Sequence, residues 1–309
     1  MTDYKPLIDK TIATIGEVIL GKEQPVRLAL ACLLARGHLL IEDLPGLGKT
    51  TLAHTLAGVL GLGFQRIQFT SDLLPADIVG VSIFDRDSNS FNFHPGPVFT
   101  PLVLADEVNR ATPKAQSALL EAMAERQITV DGVTHPLPEP FFVIATQNPL
   151  HLIGTFPLPE SQLDRFLLRI EMGYPDSRAE RALLEGEQRQ EMLKTLQPIM
   201  ALPVLKELQQ QVDSIHASDA LLDYLQALIN FTRTAPLYQN GLSPRAGLAL
   251  LAVSRAWALM SGRSHVLPED IQAVLPAVAR HRLQVRDEQG SDSGVDPVSH
   301  LLESVPLPA

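Results

Sequence analysis

The sequence predicts an α/β domain followed by a mostly helical domain, and three observations support this fold class. Short apolar runs alternate with helical patterns up to about residue 175. A glycine-rich loop, Gly46 to Thr50, lies between the first apolar run and the first helix that follows it. After the segment GYPD at 173–176 the strand signal fades and helical patterns follow. We therefore divide the 309 residues into domains at 1–175 and 176–309, close to the usual domain size of about 150 residues.

Five short runs in the first domain are predicted to form one parallel sheet. Near-continuous apolar runs of this length are typical of strands that are buried on both faces. The runs lie at 38–42, 64–70, 101–107, 141–146 and 166–172. Helices are predicted between them at 50–60 and 113–126, and the second has Thr112 as its N-cap and Pro113 at its first position.

Two hairpins are predicted as additions to this alternating core. The segment QITVDGVTHPL at 127–137 has an Asp-Gly pair between alternating runs, which is the strongest short-range hairpin signal. The segment at 81–99 reads as two short strands about a polar turn.

The second domain is predicted to be helical. Its helical patterns lie at about 177–197, 203–216, 218–234, 244–261 and 268–282. A polar, acidic stretch at 286–294 then precedes a short helix at 296–305.

Composition and charge limit the kinds of protein this can be. A hydrophobic content of 45% supplies ample core material, and a net charge of −10 opposes non-specific binding to nucleic acid or anionic membrane. The single cysteine, Cys32, lies in an apolar run and cannot form a disulfide within the chain. No signal peptide is apparent, and the longest apolar stretch, 28–41, falls short of the about 20 residues that cross a bilayer. We expect a soluble, cytoplasmic protein.

The loop at 43–50 matches the phosphate-binding pattern G-x-x-x-x-G-K-[ST] except at its first position, which Asp43 occupies. In such a loop the backbone amides and the start of the next helix bind phosphate, Lys49 brings a cation and Thr50 can ligate Mg²⁺. Aspartate visits left-handed backbone conformations more readily than most residues, so we interpret Asp43 as a substitute for glycine whose carboxylate points away from the phosphates. The alternative is a glycine turn with a surface lysine.

A second element supports a nucleotide site. The apolar strand at 101–107 ends in Asp106 and Glu107, which suits one carboxylate near Mg²⁺ and another that orients water. A third apolar strand leads into Asn148, which could contact the γ-phosphate or the attacking water. Taken alone, each of these could be an ordinary polar strand end.

Several long segments resemble the MoxR family of AAA+ ATPases. They are DLPGLGKT at 43–50, FTSDLLPADIVG at 69–80, the segment at 94–123, FFVIATQNP at 141–149 and GTFPLPESQLDRFLLRI at 154–170. An acid at the first loop position is familiar in that family. The resemblance implies a five-stranded sheet of order 5-1-4-3-2 and a helical lid. It also implies that the hairpins are the helix-2 insert, which magnesium-chelatase ATPase subunits share, and the hairpin before sensor 1.

The resemblance implies a role for each candidate site residue. ATP would be bound by the loop, Asp43, Leu44, Pro45, Gly46, Leu47, Gly48, Lys49, Thr50 and Thr51, and Mg²⁺ by Thr50 and Asp106. Glu107 would polarise the lytic water and Asn148 would be sensor 1. Ile19 and Leu20 fall where the family holds adenine, although plain core is an equal interpretation.

Two arginines would complete the site. Arg165 matches the arginine finger that a neighbouring subunit supplies, and its alternative is an ion pair with Asp164. Arg245 matches sensor 2, and whether it acts on its own subunit or on the neighbour is open.

In function, the resemblance implies a ring, a hexamer as in related ATPases of this class, that remodels or matures protein partners. Such proteins often act alongside a protein with a von Willebrand factor A domain. The inserted hairpins would face the channel of the ring, and the alternative is that they are well-packed surface hairpins. The alternatives are a nucleic-acid motor, which the net charge of −10 opposes, and a binding module that uses nucleotide only as a switch, which the Asp106–Glu107 pair opposes.

Overall fold

The computed structural model describes residues 3–87, 89–149, 154–186, 192–193, 195–286 and 296–307. The strands are β1 (Leu39–Glu42), β2 (Phe64–Gln68), β3 (Gly80–Asp85), β4 (Ser90–Pro95), β5 (Leu102–Asp106), β6 (Gln127–Val130), β7 (Val133–Pro136), β8 (Phe142–Gln147) and β9 (Leu168–Ile170). The helices up to the last strand are α1 (Lys5–Val18), α2 (Glu23–Leu34), α3 (Lys49–Val59), α4 (Pro75–Val79), α5 (Pro113–Glu125) and α6 (Glu160–Leu163). The later helices are α7 (Ser177–Glu185), α8 (Leu202–Ser214), α9 (Asp219–Thr234), α10 (Pro244–Met260), α11 (Pro268–Ala279) and α12 (Pro297–Ser304).

The central sheet has five parallel strands in the order β2-β5-β8-β1-β9. Counted along the chain, this is the predicted order 5-1-4-3-2 read from its other edge. Because all five strands are parallel, the carboxyl ends of β1, β8 and β5 lie side by side at one edge of the sheet. The loops that follow these three strands therefore meet.

Both predicted hairpins are present. β3 pairs with β4, and β6 pairs with β7 around the turn at Asp131 and Gly132, which both have positive φ. This is the geometry that favours an Asp-Gly pair in a two-residue hairpin loop.

The helices follow the predicted pattern, with differences at α7 and at four helices that were not predicted. The pattern predicted at 177–197 starts as expected at Ser177, but α7 ends at Glu185, and residues 187–191 and 194 lie outside the described part of the chain. The helices α1 and α2 at the N-terminus and the short helices α4 and α6 were not predicted. The polar stretch predicted at 286–294 lies, after Arg286, outside the described residues.

Each face of the sheet is buried by a different set of elements. Along β1, Leu39 and Ile41 join the core on one face, and Leu40 joins the core on the other, as the two-residue period of a strand requires. The first face packs with α1, α2, α3 and the helices of the lid, and the second packs with α5. A sheet buried on both faces explains its near-continuous apolar runs.

The N-terminal helices join the core to the helical lid. α2 contacts α8 and α10, and α1 contacts α3. The buried Gln209 side chain on α8 donates to the Leu33 carbonyl at 2.7 Å, and the Arg27 guanidinium lies 5.0 Å from the ring centre of Trp257. The boundary at 175/176 stays a prediction. Within the described residues, none of the helices combines the length and the apolar character that a membrane span needs.

Candidate nucleotide site

A cleft of about 300 Å³ lies where the loops after β1, β5 and β8 meet. It is lined by Pro45, Gly46, Gly48, Lys49, Thr50, Thr51, Asp106, Glu107 and Asn148. The fold thus brings together the three sequence elements that were predicted to form one site. Asp43, Leu44 and Leu47 belong to the predicted loop but do not line the cleft, and Leu47 packs against the core instead.

The loop has the backbone shape that a phosphate group requires. Gly46 and Gly48 adopt φ angles of 83° and 88°, which residues with a side chain rarely adopt. The space where a Cβ would lie is open at both glycines. α3 begins directly afterwards at Lys49, so its N-terminal amides and the positive end of its dipole face the cleft. A polyphosphate fits this arrangement.

Lys49 lies at the mouth of the loop. Its ammonium donates hydrogen bonds to the carbonyl oxygens of Asp43 and Leu44, the latter at 3.2 Å. Burial lowers the pKa of Lys49, while the nearby carboxylates of Asp43, Asp106 and Glu107 raise it. The cation therefore lies where it could reach a bound phosphate.

The buried carboxylate of Asp43 connects the loop to the chain segment that follows β9. Its Oδ2 accepts hydrogen bonds from the backbone N–H groups of Met172 at 2.7 Å and Gly173 at 2.6 Å, and its Oδ1 accepts one from Leu44 at 2.8 Å. The backbone of Asp43 is not left-handed. The interpretation of Asp43 as a conformational substitute for glycine is therefore wrong, because the side chain has a bonding role of its own.

Replacing Asp43 is expected to destabilise the fold. Asp43→Gly leaves the amides of Met172 and Gly173 without their acceptor, so we expect the free energy of unfolding to fall by about 2–4 kcal/mol. Chemical denaturation measures this change. The free energy of unfolding of Asp43→Asn, which keeps one acceptor oxygen, should lie between those of Asp43→Gly and the wild type. An unchanged unfolding midpoint for Asp43→Gly would show that these hydrogen bonds contribute nothing.

Asp106 is held at the end of β5 by two neighbouring strands. Its Oδ1 accepts a hydrogen bond at 2.6 Å from the hydroxyl of Thr146 on β8. Its Oδ2 accepts two from Arg66 on β2, from Nε at 3.0 Å and from Nη2 at 2.7 Å. The carboxylate thus has a fixed orientation, as a metal ligand needs. The positively charged guanidinium of Arg66 already faces it.

Glu107 adopts a strained backbone conformation for a residue with a side chain, with φ 57° and ψ 48°. Its N–H donates to the Thr146 hydroxyl at 2.8 Å. Its Oε2 lies 3.2 Å from the donating amide of Gln68 and 3.0 Å from Nε of Arg110. Strain of this kind collects at functional sites, where surrounding contacts enforce it.

Four residues of this network were absent from the sequence prediction: Arg66, Gln68, Arg110 and Thr146. The signal for Thr146 is a polar residue at the end of an otherwise apolar strand. Arg66 lies in the middle of β2, between Gln65 and Ile67. Asn148 lies on the cleft as predicted, and its carbonyl accepts a hydrogen bond from the Asn109 amide at 3.3 Å.

Arg165 and Arg245 lie at the opposite edge of the sheet from the cleft. Both line a second cavity, of about 310 Å³, together with His38, which precedes β1. From His38 to Asp43 the chain advances about 16 Å at ~3.3 Å per residue. The two arginines therefore do not share a cavity with the nucleotide loop of their own chain.

The local contacts of Arg165 also differ from the simpler interpretation. Its guanidinium donates to the Leu120 carbonyl at 2.8 Å. The ion pairs of Asp164 are with Arg282 at 2.7 Å and Arg245 at 3.7 Å. The alternative in which Arg165 is the ion-pair partner of Asp164 is therefore wrong.

The other predicted elements keep their open interpretations. Ile19 is buried in the core and also lines a cavity of about 760 Å³ beside Lys22, so an adenine contact stays a prediction for it and for Leu20. The two hairpins contact each other, because Phe93 on β4 stacks on His135 of β7 with ring centres 4.2 Å apart.

Comparison with known proteins agrees with this architecture. The profile of the ATPase family associated with various cellular activities (AAA) matches residues 38–168, and the profile of the AAA lid domain matches residues 230–301. The order of the sheet, the loop after β1, the acids after β5 and the helical lid define an AAA+ ATPase.

Related chains identify the family within this class. The chain is 46% identical over 286 residues to the uncharacterized protein YeaC of Bacillus subtilis, covering 93% of this chain and 89% of that one. It is 39% identical over 318 residues to the Chaperone MoxR1 of Mycobacterium tuberculosis, covering 97% and 82%. A crystal structure of a candidate ATPase from Cytophaga hutchinsonii superposes with a TM-score of 0.88 at 36% identity, covering 98% and 96%. The chain belongs to the MoxR family of AAA+ ATPases.

Proposed function

We propose that this protein is a Mg²⁺-dependent ATPase that assembles into a ring, a hexamer as the resemblance implies, and remodels or matures protein partners. The observation that supports this most strongly is a shared cleft, which is lined by the glycine-rich loop and by Lys49, Asp106, Glu107 and Asn148. Each of these groups has a role in phosphoryl transfer to water.

Within the cleft, the loop amides and Lys49 would hold the triphosphate. Thr50 and Asp106 would hold Mg²⁺, which when bound neutralises charge on the phosphate oxygens. Glu107 would accept a proton from the attacking water and Asn148 would orient the γ-phosphate. Water attacks the γ-phosphorus, the bond to the β–γ bridging oxygen breaks, and ADP and phosphate leave.

The position of the two arginines supports a site completed between subunits. Arg165 and Arg245 share a cavity at the edge of the sheet away from the cleft, so a neighbouring chain would supply both. This favours the action of Arg245 on the neighbour, which the sequence left open. A ring is the closed assembly in which every cleft meets such an edge.

An exposed aromatic pair supports contact with a protein partner. A relative is named as a chaperone, and the hairpin of β3 and β4 exposes Phe84 and Phe91, whose ring centres lie 5.2 Å apart. Exposed aromatic pairs are typical of protein contacts. A partner with a von Willebrand factor A domain and a cytoplasmic location follow from the resemblance alone.

Release of phosphate from ATP in the presence of Mg²⁺ tests the proposed activity. We expect steady turnover by the wild type and weak ATP binding by Lys49→Ala, which removes the cation of the loop. A protein that binds ATP without steady release would instead be a nucleotide-switched binding module. Salt-sensitive binding to DNA would favour the nucleic-acid motor.

A further inference from the structure

The cavity that contains Arg165 and Arg245 carries more positive charge than these two residues account for. Its lining includes the arginines Arg36, Arg126, Arg165, Arg245 and Arg282. Among the described residues that line it, Asp164 is the single acid. Burial lowers the pKa of His38, which also lines the cavity, to about 4, so His38 adds no charge at neutral pH. An anionic group would fit this cavity.

Three of the five arginines pair with acids of their own chain, and the longest of these pairs joins Arg245 to Asp164 at 3.7 Å. Arg282 is buried and pairs with Asp164 at 2.7 Å. Arg36 pairs with Asp213 on α8 at 2.6 Å. These two guanidinium groups are neutralised by structural contacts, and they support the cavity rather than serve a ligand.

The guanidinium groups of Arg126 and Arg165 contact neutral backbone groups instead of acids. Both are exposed, and each donates to a neutral backbone carbonyl: Arg126 to Arg36 at 2.7 Å and Arg165 to Leu120 at 2.8 Å. Neither takes part in an ion pair within the described residues. Among the described residues, no acid is therefore paired with either guanidinium, and each donates a hydrogen bond that holds it in position. Arg126 matches the predicted arginine finger in both respects.

The backbone at Arg126 is also unusual. The residue ends α5 in a left-handed conformation, with φ 53° and ψ 25°, where glycine or asparagine is the common choice. A glycine there would adopt the same backbone angles without strain. This allows the side chain to be removed without harm to the fold.

We propose that Arg126 is a third cation, beside Arg165 and Arg245, that contacts the triphosphate bound by the neighbouring subunit. The inference rests on the proposed function, since it takes the neighbour's ATP as the anion. A guanidinium binds phosphate oxygens through two parallel hydrogen bonds, each assisted by charge. Loss of such a contact lowers kcat/KM for ATP in the assembled protein by roughly 10- to 100-fold.

The test compares Arg126→Gly with the wild type, with Arg126→Lys and with Arg181→Ala. Arg181→Ala is the matched control, because that exposed arginine pairs with Glu185 on α7 and lies outside the cavity. Arg126→Gly should unfold at or above the wild-type midpoint. As a dilute, dissociated subunit it should bind a fluorescent ATP analogue like the wild type, and it should lose affinity in the assembled state. In the assembled state, the ATP affinity of Arg126→Lys should lie between that of Arg126→Gly and that of the wild type. Arg181→Ala should match the wild type.

A mixing experiment locates the contact. Lys49→Ala chains keep Arg126 but cannot use ATP, so adding them should raise the turnover of each Arg126→Gly chain. Wild-type kcat/KM for Arg126→Gly, or no rise on mixing in assemblies shown to contain both chains, would overturn the inference. If Arg126→Gly had wild-type kcat/KM while Arg165→Ala was impaired in the same assay, the role of Arg126 would be wrong and the proposed function would stand. Absence of turnover in the wild type would remove the proposed function itself.

Discussion

Arg165→Ala is expected to lower the ATPase rate of the assembled protein by roughly 10³-fold or more, the scale for a lost arginine finger. The physical reason is that this guanidinium lines the cavity at the far end of the strands. In the proposed ring it would stabilise charge on the phosphate transferred in the next subunit. ATP binding by the isolated subunit should be almost unchanged, since Arg165 does not line its own cleft. Phosphate release and equilibrium binding of ATP measure the two quantities.

The same account predicts how activity depends on assembly. Wild-type activity per chain should rise with protein concentration, because an isolated site lacks its finger. Activity per chain that stayed constant from dissociated to assembled protein would contradict the role of the neighbour. So would an Arg165→Ala variant that turned over at the wild-type rate.

Glu107→Gln is expected to bind ATP normally and to turn it over at least roughly 10²-fold more slowly, the usual scale for a lost general base. The amide keeps the size of the side chain but cannot accept the proton of the attacking water. The loop, Lys49 and the orienting contacts of Asp106 are unchanged by the substitution. Binding of ATP and single-turnover hydrolysis separate the two effects.

Glu121→Gln is the matched control for this experiment. It removes one negative charge from an exposed position on α5, away from the residues that line the cleft. We expect it to retain wild-type turnover. If Glu107→Gln also hydrolysed ATP at the wild-type rate, Glu107 would not be the base.

The local parts of the site could be predicted from the sequence because they are encoded by neighbours along the chain. A strand, a glycine-rich loop and a helix within residues 38–60 define the loop, and two adjacent acids mark the end of β5. The order of the strands then brings these parts together, and this order came from the family resemblance. Periodicity alone does not specify which parallel strands are adjacent.

The role of Asp43 could not be predicted because its partners are distant in sequence. Met172 and Gly173 lie 129 and 130 residues further along the chain. A position within a motif gives its expected backbone shape, but a side-chain partner depends on tertiary contacts. Conformational preference was therefore the only property of Asp43 that the sequence made visible.

The contacts of Arg165 show the same limit. Adjacency suggested an ion pair with Asp164, but consecutive side chains point in different directions, and Asp164 pairs instead with Arg282, 118 residues away. Likewise, α1 and α2 were not predicted, because the burial of their apolar residues depends on tertiary contacts. Their apolar faces find partners in α3, α8 and α10.

The central claim is that the active unit forms between two chains, with Glu107 from one and Arg165 from the other. Mixing inactive Arg165→Ala chains with inactive Glu107→Gln chains tests it most directly. Some interfaces in the mixed assembly would join an intact Glu107 to an intact Arg165, so part of the ATPase activity should return. No return of activity, in mixtures shown to assemble together, would contradict the claim.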